Sequence, residues 1–348
     1  MRIGPEDGWH NRWHPDLAPT VSVRPGEALT LETRDGIDGQ LTRESTHADC
    51  ATPDLGLAHP LTGPVHVEGA EPGDVLEVNF VGYETPGFGV NCVIPGFGFL
   101  ADVFDEPFLV PWELDGAVAR SPELPGIAVP AVTHAGVAGV APSHALMERQ
   151  REREEAIRAA GGPVADPQPE SAHPTTAADG LRTIPPRETG GNLDIRRLTA
   201  GATLLLPVHV PGALFSLGDV HFAQGDGEVC GTGIEIAAAV TVRFGLRKAP
   251  RVAQAFPAYL APVSPGRAVF ATTGISETAA MDLTQAARAA LLAMIDWLEA
   301  EHGLSRPAAY CLCSACVDLH LSQVVDVPYP LVSALCPLDI FEAGGASR

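Results

Sequence analysis

The sequence predicts a β-dominated α+β fold with few helices. Gly (36) and Pro (32) make up nearly a fifth of the 348 residues and are scattered between apolar runs, the distribution of many short strands joined by tight turns. Helical periodicity emerges in only two stretches, and no strand–glycine loop–helix unit of the nucleotide-binding kind is visible. With 45% hydrophobic and 19% charged residues, the composition is globular, and the length allows a large shared core.

From Leu17 to about Val140 the pattern is strand, turn, strand. The segment EALTLETRDG alternates Leu29, Leu31 and Thr33 with Ala28, Thr30 and Glu32, then turns at Asp35-Gly36. GPVHVEGAEPGDVLEVNFVGY predicts a hairpin: Val65 and Val67 lead in, Glu71-Pro72-Gly73-Asp74 turns, and Val75 to Val81 returns. PGFGVNCVIPGFGFLAD is too rich in breakers for helix and reads as an ordered loop able to wrap a site.

The first helix runs from Ser143, a plausible N-cap, to Ala160, where Gly161-Gly162 stops it. Its mixed charges mark a solvated surface helix, and the stretch after it to Arg187 reads as a long surface loop. Strand character returns over Leu193–Leu206, Val208–Phe222 and Gly231–Phe244, the last with Ile236, Ala238, Val240 and Val242 on one face. A second helix spans about Leu283 to His302, with Ala287, Leu291, Met294, Ile295 and Leu298 as its apolar stripe and Gly303 as its stop. Strand-like SACVDLHLSQVVDV and a short PLDIF close the chain. The organisation is one unit, 1–348: β-rich parts at about 18–140 and 190–262, the surface helix and loop at 143–187, and an α/β part at 263–342.

The formal net charge is −21, from 43 acidic and 22 basic residues. Such a surface repels phosphate backbones and anionic headgroups, which argues against nucleic-acid and membrane partners. The N-terminus lacks an apolar core of signal-peptide length, and no run approaches the roughly 20 apolar residues of a membrane span. Seven cysteines, an odd number mostly inside apolar segments, read as buried thiols. The expected compartment is the cytoplasm.

The chemistry concentrates in GALFSLGDVHFAQGDGEVCGTGIE, residues 212–235. Side chains at i and i+2 of a strand share a face, so Phe215, Leu217, Asp219 and His221 line one side, apolar first and polar after. Asp-x-His on one face presents a carboxylate and an imidazole to one divalent ion. The turn Gln224-Gly225-Asp226-Gly227 returns the chain with Glu228. Read blandly, Asp226-Gly227 is only a hairpin turn. The density of Asp219, His221, Asp226, Glu228 and Glu235 in an apolar stretch argues for more, because buried carboxylates need a cation or a strong network. Upstream, Gly190-Gly191 permits close backbone approach, and Asn192 and Asp194 sit two apart, as ligands or as an Asx-turn.

These segments also carry a resemblance. GGNLDIRRLTAGATLLLPVHVPGALFSLGDVHFAQGDGEVCGTGIE is similar to the signature of the acetamidase/formamidase family. So are HPLTGPVHVEGAEPGDVLEV, VIPGFGFLAD, GVAGVAPS, TIPPRETGGN and VDLHLSQVVDVPYPLVSALCP, in the family's order from about Arg34 to Phe341. The family usually reads Asn where this chain has His59, and the run CLCSAC is unusual. The resemblance implies a sandwich or jelly-roll core with peripheral helices, a metal-bearing centre and a homo-oligomer. It implies hydrolysis of formamide or acetamide to ammonia and the carboxylate.

The expected site then has Asp194, Asp219 and His221 as metal ligands, Glu228 or Glu235 as the proton carrier, and Asn192 and Gln224 at the substrate. Zinc is the first choice of metal, with calcium or magnesium admitted by an oxygen-rich set. Three rivals stand beside this reading. Cys230 is a candidate nucleophile, though a cysteine between Val229 and Gly231 on an apolar strand is more often core filler. A non-enzymatic β protein holding a cation and a small polar ligand fits the same residues, and so does the same scaffold acting on a larger amide, with Phe88, Phe97 and Phe99 shaping the pocket. Cys311, Cys313 and Cys316 lack the second pair a structural zinc site needs. Asp318 and His320 repeat the Asp-x-His spacing, and His134 and His209 read as structural.

Overall fold

A computed structural model describes residues 1–250, 253–264 and 266–341 of the chain; the expected end of the C-terminal part, 342, lies outside them. Two large sheets dominate. The first has nine strands in the order Arg2–Ile3, Ala28–Thr33, Ala238–Arg247, Val75–Glu84, Thr203–Pro207, Ala258–Ser264, Arg267–Gly274, Leu331–Pro337 and Asp318–Gln323. The second has twelve, and at its centre Phe215–His221 runs antiparallel between His134–Val140 on one edge and Leu61–Val67 and Glu235–Ile236 on the other.

One hydrophobic core lies between the sheets. Leu29, Leu31, Val78, Phe80, Val240, Val242 and Phe244 of the first meet Val65, Val67, Trp112, Phe215 and Leu217 of the second. The rings of Phe215 and Phe244 cross edge to face at 5.4 Å between centroids, a packing that aromatic quadrupoles favour. The expected β-dominated class is therefore the observed one.

Among the described residues there are three α-helices. α1, His144–Ala159, starts where Ser143 accepts a hydrogen bond from the Leu146 N–H (3.2 Å), and its Met147 packs with Trp13 and with Leu61 and Val137 of the twelve-stranded sheet. α2, Leu283–His302, is capped by Asp282 and ends on left-handed Gly303; it lays Ala286, Ala290, Met294 and Leu298 on the outer face of the nine-stranded sheet. Both agree with the sequence reading. α3, Arg306–Cys316, does not, because the sequence reading has this stretch turning into strand from Ser314. Its first-turn Pro307 is a genuine start signal, and Ala309, Leu312 and Cys313 face the cluster under α2, but the stripe is short and only Ala309 and Cys313 are fully buried. No described helix is long and apolar enough to cross a membrane.

Further strand expectations change. The turn at Glu71–Asp74 forms, with the Asp74 N–H on the Glu71 carbonyl at 3.0 Å, but its flanking strands are not a hairpin. Leu61–Val67 pairs within the twelve-stranded sheet and Val75–Glu84 within the nine-stranded one, so the turn carries the chain across the core. Phe88–Val93, read as part of a loop, is a strand paired with Phe108–Leu114; only the segment after it loops. Of Leu193–Leu206, only Thr203 onward is strand, preceded by Gly190–Asn192 on His134–Val140.

The expected strand Gly231–Phe244 is divided between the sheets. Glu235–Ile236 belongs to the second, Ala238–Arg247 to the first, and Ala237 alone joins them.

Candidate functional site

The strand Phe215–His221 is buried along its whole length. Its first half is packed by Leu61–Val67, whose pairing ends at Leu217; Glu235–Ile236 takes over at Val220 and His221. That change of partner opens the sheet where the sequence turns from apolar to polar. Asp219 lies there with φ +52°, in the left-handed region. Opposite it, Gly136 leaves the space the carboxylates occupy: a Cβ there would stand 2.5 Å from Asp194 Oδ1 and 2.6 Å from Asp219 Oδ2.

Four carboxyl groups surround one imidazole, and a fifth adjoins them. His221 Nε2 lies 3.1 Å from Glu235 Oε1, 3.5 Å from Asp219 Oδ1 and 3.8 Å from Glu228 Oε1, and its Nδ1 is 3.9 Å from Asp194 Oδ1. Asp326, from the loop after the strand Asp318–Gln323, adjoins Asp194. All six residues are buried, His221 completely. Asp194 (φ +45°) and Glu228 (φ +47°) share the left-handed backbone of Asp219. Each such non-glycine residue costs about 1–2 kcal/mol, so the surrounding structure holds the cluster against local preference.

Gln224 fixes the imidazole. Its side-chain N–H₂ donates to the carbonyls of Asp194 (2.9 Å) and Ser322 (3.3 Å), which leaves its Oε1 to accept from His221 Nδ1 at 2.8 Å. The proton of a neutral His221 is thereby kept on Nδ1, and the Nε2 lone pair faces Asp219 and Glu235. That is the orientation a metal-ligating histidine takes from its outer partner. His134, neutral because burial pushes its pKa down to about 4, stands 3.0 Å from the same Gln224 oxygen and crosses the His221 ring at 5.3 Å.

Charge in this cluster is unbalanced. Among the described residues, His221 is the only ion-pairing partner of Asp194, Asp219, Glu228 and Glu235. Burial, reinforced by the neighbouring carboxylates, raises Glu228 and Asp326 well above the usual range, and Glu235 to about 8. Burial opposes charge on His221, yet Glu235 and Asp219 outweigh it and hold the imidazole well above its ordinary pKa. Burial also opposes charge on Asp219, but His59 and His221 outweigh it and keep that carboxyl low. The cluster thus retains protons in the place of a cation.

The unpartnered atoms say the same. His221 Nε2, Glu235 Oε2, both oxygens of Asp194 and Asp326 Oδ2 are buried without a hydrogen bond. Ligand atoms of Asp219, His221 and Glu235 fall within 4.8 Å of one another, and so do those of Asp194, His221 and Glu228. A divalent ion satisfies such a set, and the residues present fit one.

Above the cluster is a cavity of ≈ 40 Å³. Asn192, Asp219, Glu228, Glu235 and Asp326 form its floor, while Ile37, Leu55, Ile94, Phe97 and Ile184 are on its walls. Asn192 Oδ1 is buried and unpartnered. The structure brings Asn192, Asp194, Asp219, His221, Glu228 and Glu235 together. It places Gln224 behind His221 and away from the cavity, where the expected substrate contact becomes an orienting one.

Cys230 stands apart. Its sulfur meets Asn91 Nδ2 (3.2 Å) and the Thr232 carbonyl (3.5 Å), and no histidine is among its hydrogen-bond partners among the described residues. Sequence reasoning missed Asp326 and His59. Asp326 lies in the motif VVDVPYP, more than a hundred residues from Asp219, and only the burial of Val324, Val325 and Asp326 in a row hints at it. His59 lines the cavity with a buried, unpartnered Nδ1.

The chain is similar to known proteins along its length. Residues 4–343 match the sequence model of the Acetamidase/Formamidase family. A formamidase of Methylophilus methylotrophus is 34% identical over 364 residues, covering 96% of this chain and 89% of its own. An acetamidase of Mycolicibacterium smegmatis is 36% identical over 271 residues, 69% of this chain and 66% of its own. The crystal structure of an acetamidase from Bacillus halodurans superposes with a TM-score of 0.78 at 28% identity, covering 98% of both chains.

Proposed function

Since the chain belongs to the acetamidase/formamidase family, we propose that it hydrolyses a short aliphatic amide, formamide or acetamide, to ammonia and the carboxylate at this buried cluster. One observation carries the reading: a buried cluster of five carboxyls and one imidazole, with unpartnered atoms on Asp194, His221, Glu235 and Asp326, beside a cavity small enough for a molecule of few heavy atoms.

In this reading Asp219, His221 and Glu235 would hold a divalent ion, with Asp194 beside them as a further candidate ligand. Glu235 moves from alternate proton carrier to holder because its Oε1 is the carboxylate oxygen nearest His221 Nε2 and also accepts from the Gly233 N–H at 2.8 Å. Zinc suits one imidazole with carboxylates. Such an ion supplies water with its pKa lowered from about 15.7 towards about 7 and polarises a carbonyl.

The chain's own residues do the rest. Glu228, on the turn after Gly227 and raised well above the usual carboxylate range by burial and by Asp194, takes the proton of the attacking water at its carboxylate and delivers it to the leaving nitrogen. Asn192 binds the substrate amide. Gln224 holds the His221 ring, and the buried walls exclude bulk water. We also propose a homo-oligomeric, cytoplasmic enzyme, a reading supported by the family resemblance and by seven free cysteines, as expected in a reducing compartment.

Ammonia release from formamide, acetamide and propionamide tests this directly, using untreated, chelated and re-metallated protein alongside elemental analysis. We expect activity to vanish on chelation and return with zinc. Full activity after exhaustive removal of metal dismisses the metal reading, and no ammonia from any of the three amides dismisses the substrate.

A further inference from the structure

We propose that Phe97, seated on Gly231, is the specificity-determining residue that limits the acyl chain of the substrate; this rests on the amide-hydrolase reading above. The cavity is two-sided. An amide that places its carbonyl and nitrogen on the polar floor leaves its acyl substituent only the apolar wall, and Phe97 supplies the aromatic face of that wall.

The ring is held there by backbone on both sides. Gly231 has φ +88°, and any Cβ on it would overlap the Phe97 ring, so the absence of a side chain at 231 is what admits the aromatic. The Phe97 N–H donates to the Ile94 carbonyl at 3.0 Å, and the Phe99 N–H to the Val229 carbonyl at 2.9 Å, pinning the loop before and after the ring. The Gly231 N–H donates to the Glu228 carbonyl at 2.8 Å, and Thr232 lines the cavity. The ring therefore sits over the segment that carries the proton-transferring carboxylate.

Volume gives the consequence. A single water needs roughly 10–15 Å³ by this kind of measure, so ≈ 40 Å³ leaves room for only a few heavy atoms beside the floor. One methylene too many in a closed apolar pocket costs about 10- to 200-fold in kcat/KM. The wall also belongs to a small satellite core of Ile37, Leu41, Cys50, Val90, Cys92, Ile94 and Leu109, separate from the core between the sheets. Reshaping it leaves the main packing in place.

The test is a chain-length series from formamide to hexanamide, with kcat/KM for ammonia release measured on the full chain. In the wild type the profile drops steeply after the two- or three-carbon amides. Phe97→Ala raises the butyramide-to-acetamide ratio by about tenfold or more; Phe97→Leu, which keeps the satellite core filled, raises it less. Should Phe97→Ala fail to fold, judged by its unfolding midpoint, the Leu variant decides. A folded Phe97 variant whose ratio stays within about twofold of wild type overturns the inference while the amidase reading stands. So does a wild type that takes hexanamide as readily as acetamide. A wild type that releases no ammonia from any amide overturns the amidase reading and the inference with it.

Discussion

Asp219-Val220-His221 and Asp318-Leu319-His320 are the same pattern on two strands, and only one of them is in the buried cluster. The first lies at the centre of the twelve-stranded sheet, where backbone from both sides removes water and three further carboxyls converge on its imidazole. The second lies on an edge strand of the nine-stranded sheet, with Asp318 and Leu319 exposed. Its His320 finds one partner, Asp226 at 2.9 Å, and with the pairing of Gly227 to Gln323 it clamps the turn that leads to Glu228. Spacing makes two ligands available to one ion. Burial without counter-charge makes them need one.

The sharpest way to break that contrast is to remove each motif in turn. Asp219→Ala and His221→Ala are expected to lower ammonia release by about 10⁴-fold or more and to abolish bound metal, because nucleophile and carbonyl polarisation depart together. Asp318→Ala should stay within about twofold in kcat and about 0.5 kcal/mol in stability, as surface changes do, and His320→Ala, which loosens the turn before Glu228, should keep its metal. Equal losses at both motifs in parallel assays and elemental analysis would falsify the distinction.

Within the buried motif the holders and the proton carrier separate next. Glu228→Gln should cost roughly 10²–10⁴-fold in kcat with metal content preserved. Glu235→Gln should lose metal. Should Glu228→Gln lose the metal and Glu235→Gln keep it, the two roles exchange.

A smaller effect is expected from Gln224→Ala, which frees the His221 ring from its acceptor and from the anchors at Asp194 and Ser322. Metal affinity, followed by competition with a chelator, should fall about 10- to 100-fold. An unchanged affinity would mean that strand geometry alone orients the imidazole.

Proton uptake gives the mildest readout. Glu235, raised to about 8, and Glu228 and Asp326, raised well above their usual range, bind more protons folded than unfolded once the pH exceeds about 4.5. His221 is raised too, so its contribution is present at low pH and lost as the pH climbs through its folded value. Both signs agree: metal-free protein loses stability as the pH rises from about 5 towards 8. The low pKa of Asp219 acts only in strongly acidic solution, outside this window. Thermal unfolding at pH 5 and pH 8 should show the gap between loaded and chelated protein widening with pH; a constant gap removes the case for proton-for-cation exchange.

The same contrast explains what was legible in the sequence. Period two and turn residues reveal that Phe215–His221 is a strand and that Asp219 and His221 share a side, and the caps of α1 and α2 mark those helices. Sheet membership does not show, since the turn at Glu71–Asp74 has the same chemistry whether the next strand pairs locally or crosses the core. The role of Gln224 was hidden too, because a side chain that bonds two backbone carbonyls from distant segments has no local signature. Asp326 was missed for the same reason, and α3 because it buries little.

The single residue Ala237, which hands the chain from one sheet to the other directly after Glu235 and Ile236, ties the buried cluster to the packing of the two layers. Glu235 is paired with His221 and Val90 in the twelve-stranded sheet, while Ala238 opens a strand of the nine-stranded one, so a shift between the layers would pull directly on the residue proposed to hold the ion. In the proposed reading, interlayer packing and the ion's holder thus meet at one junction.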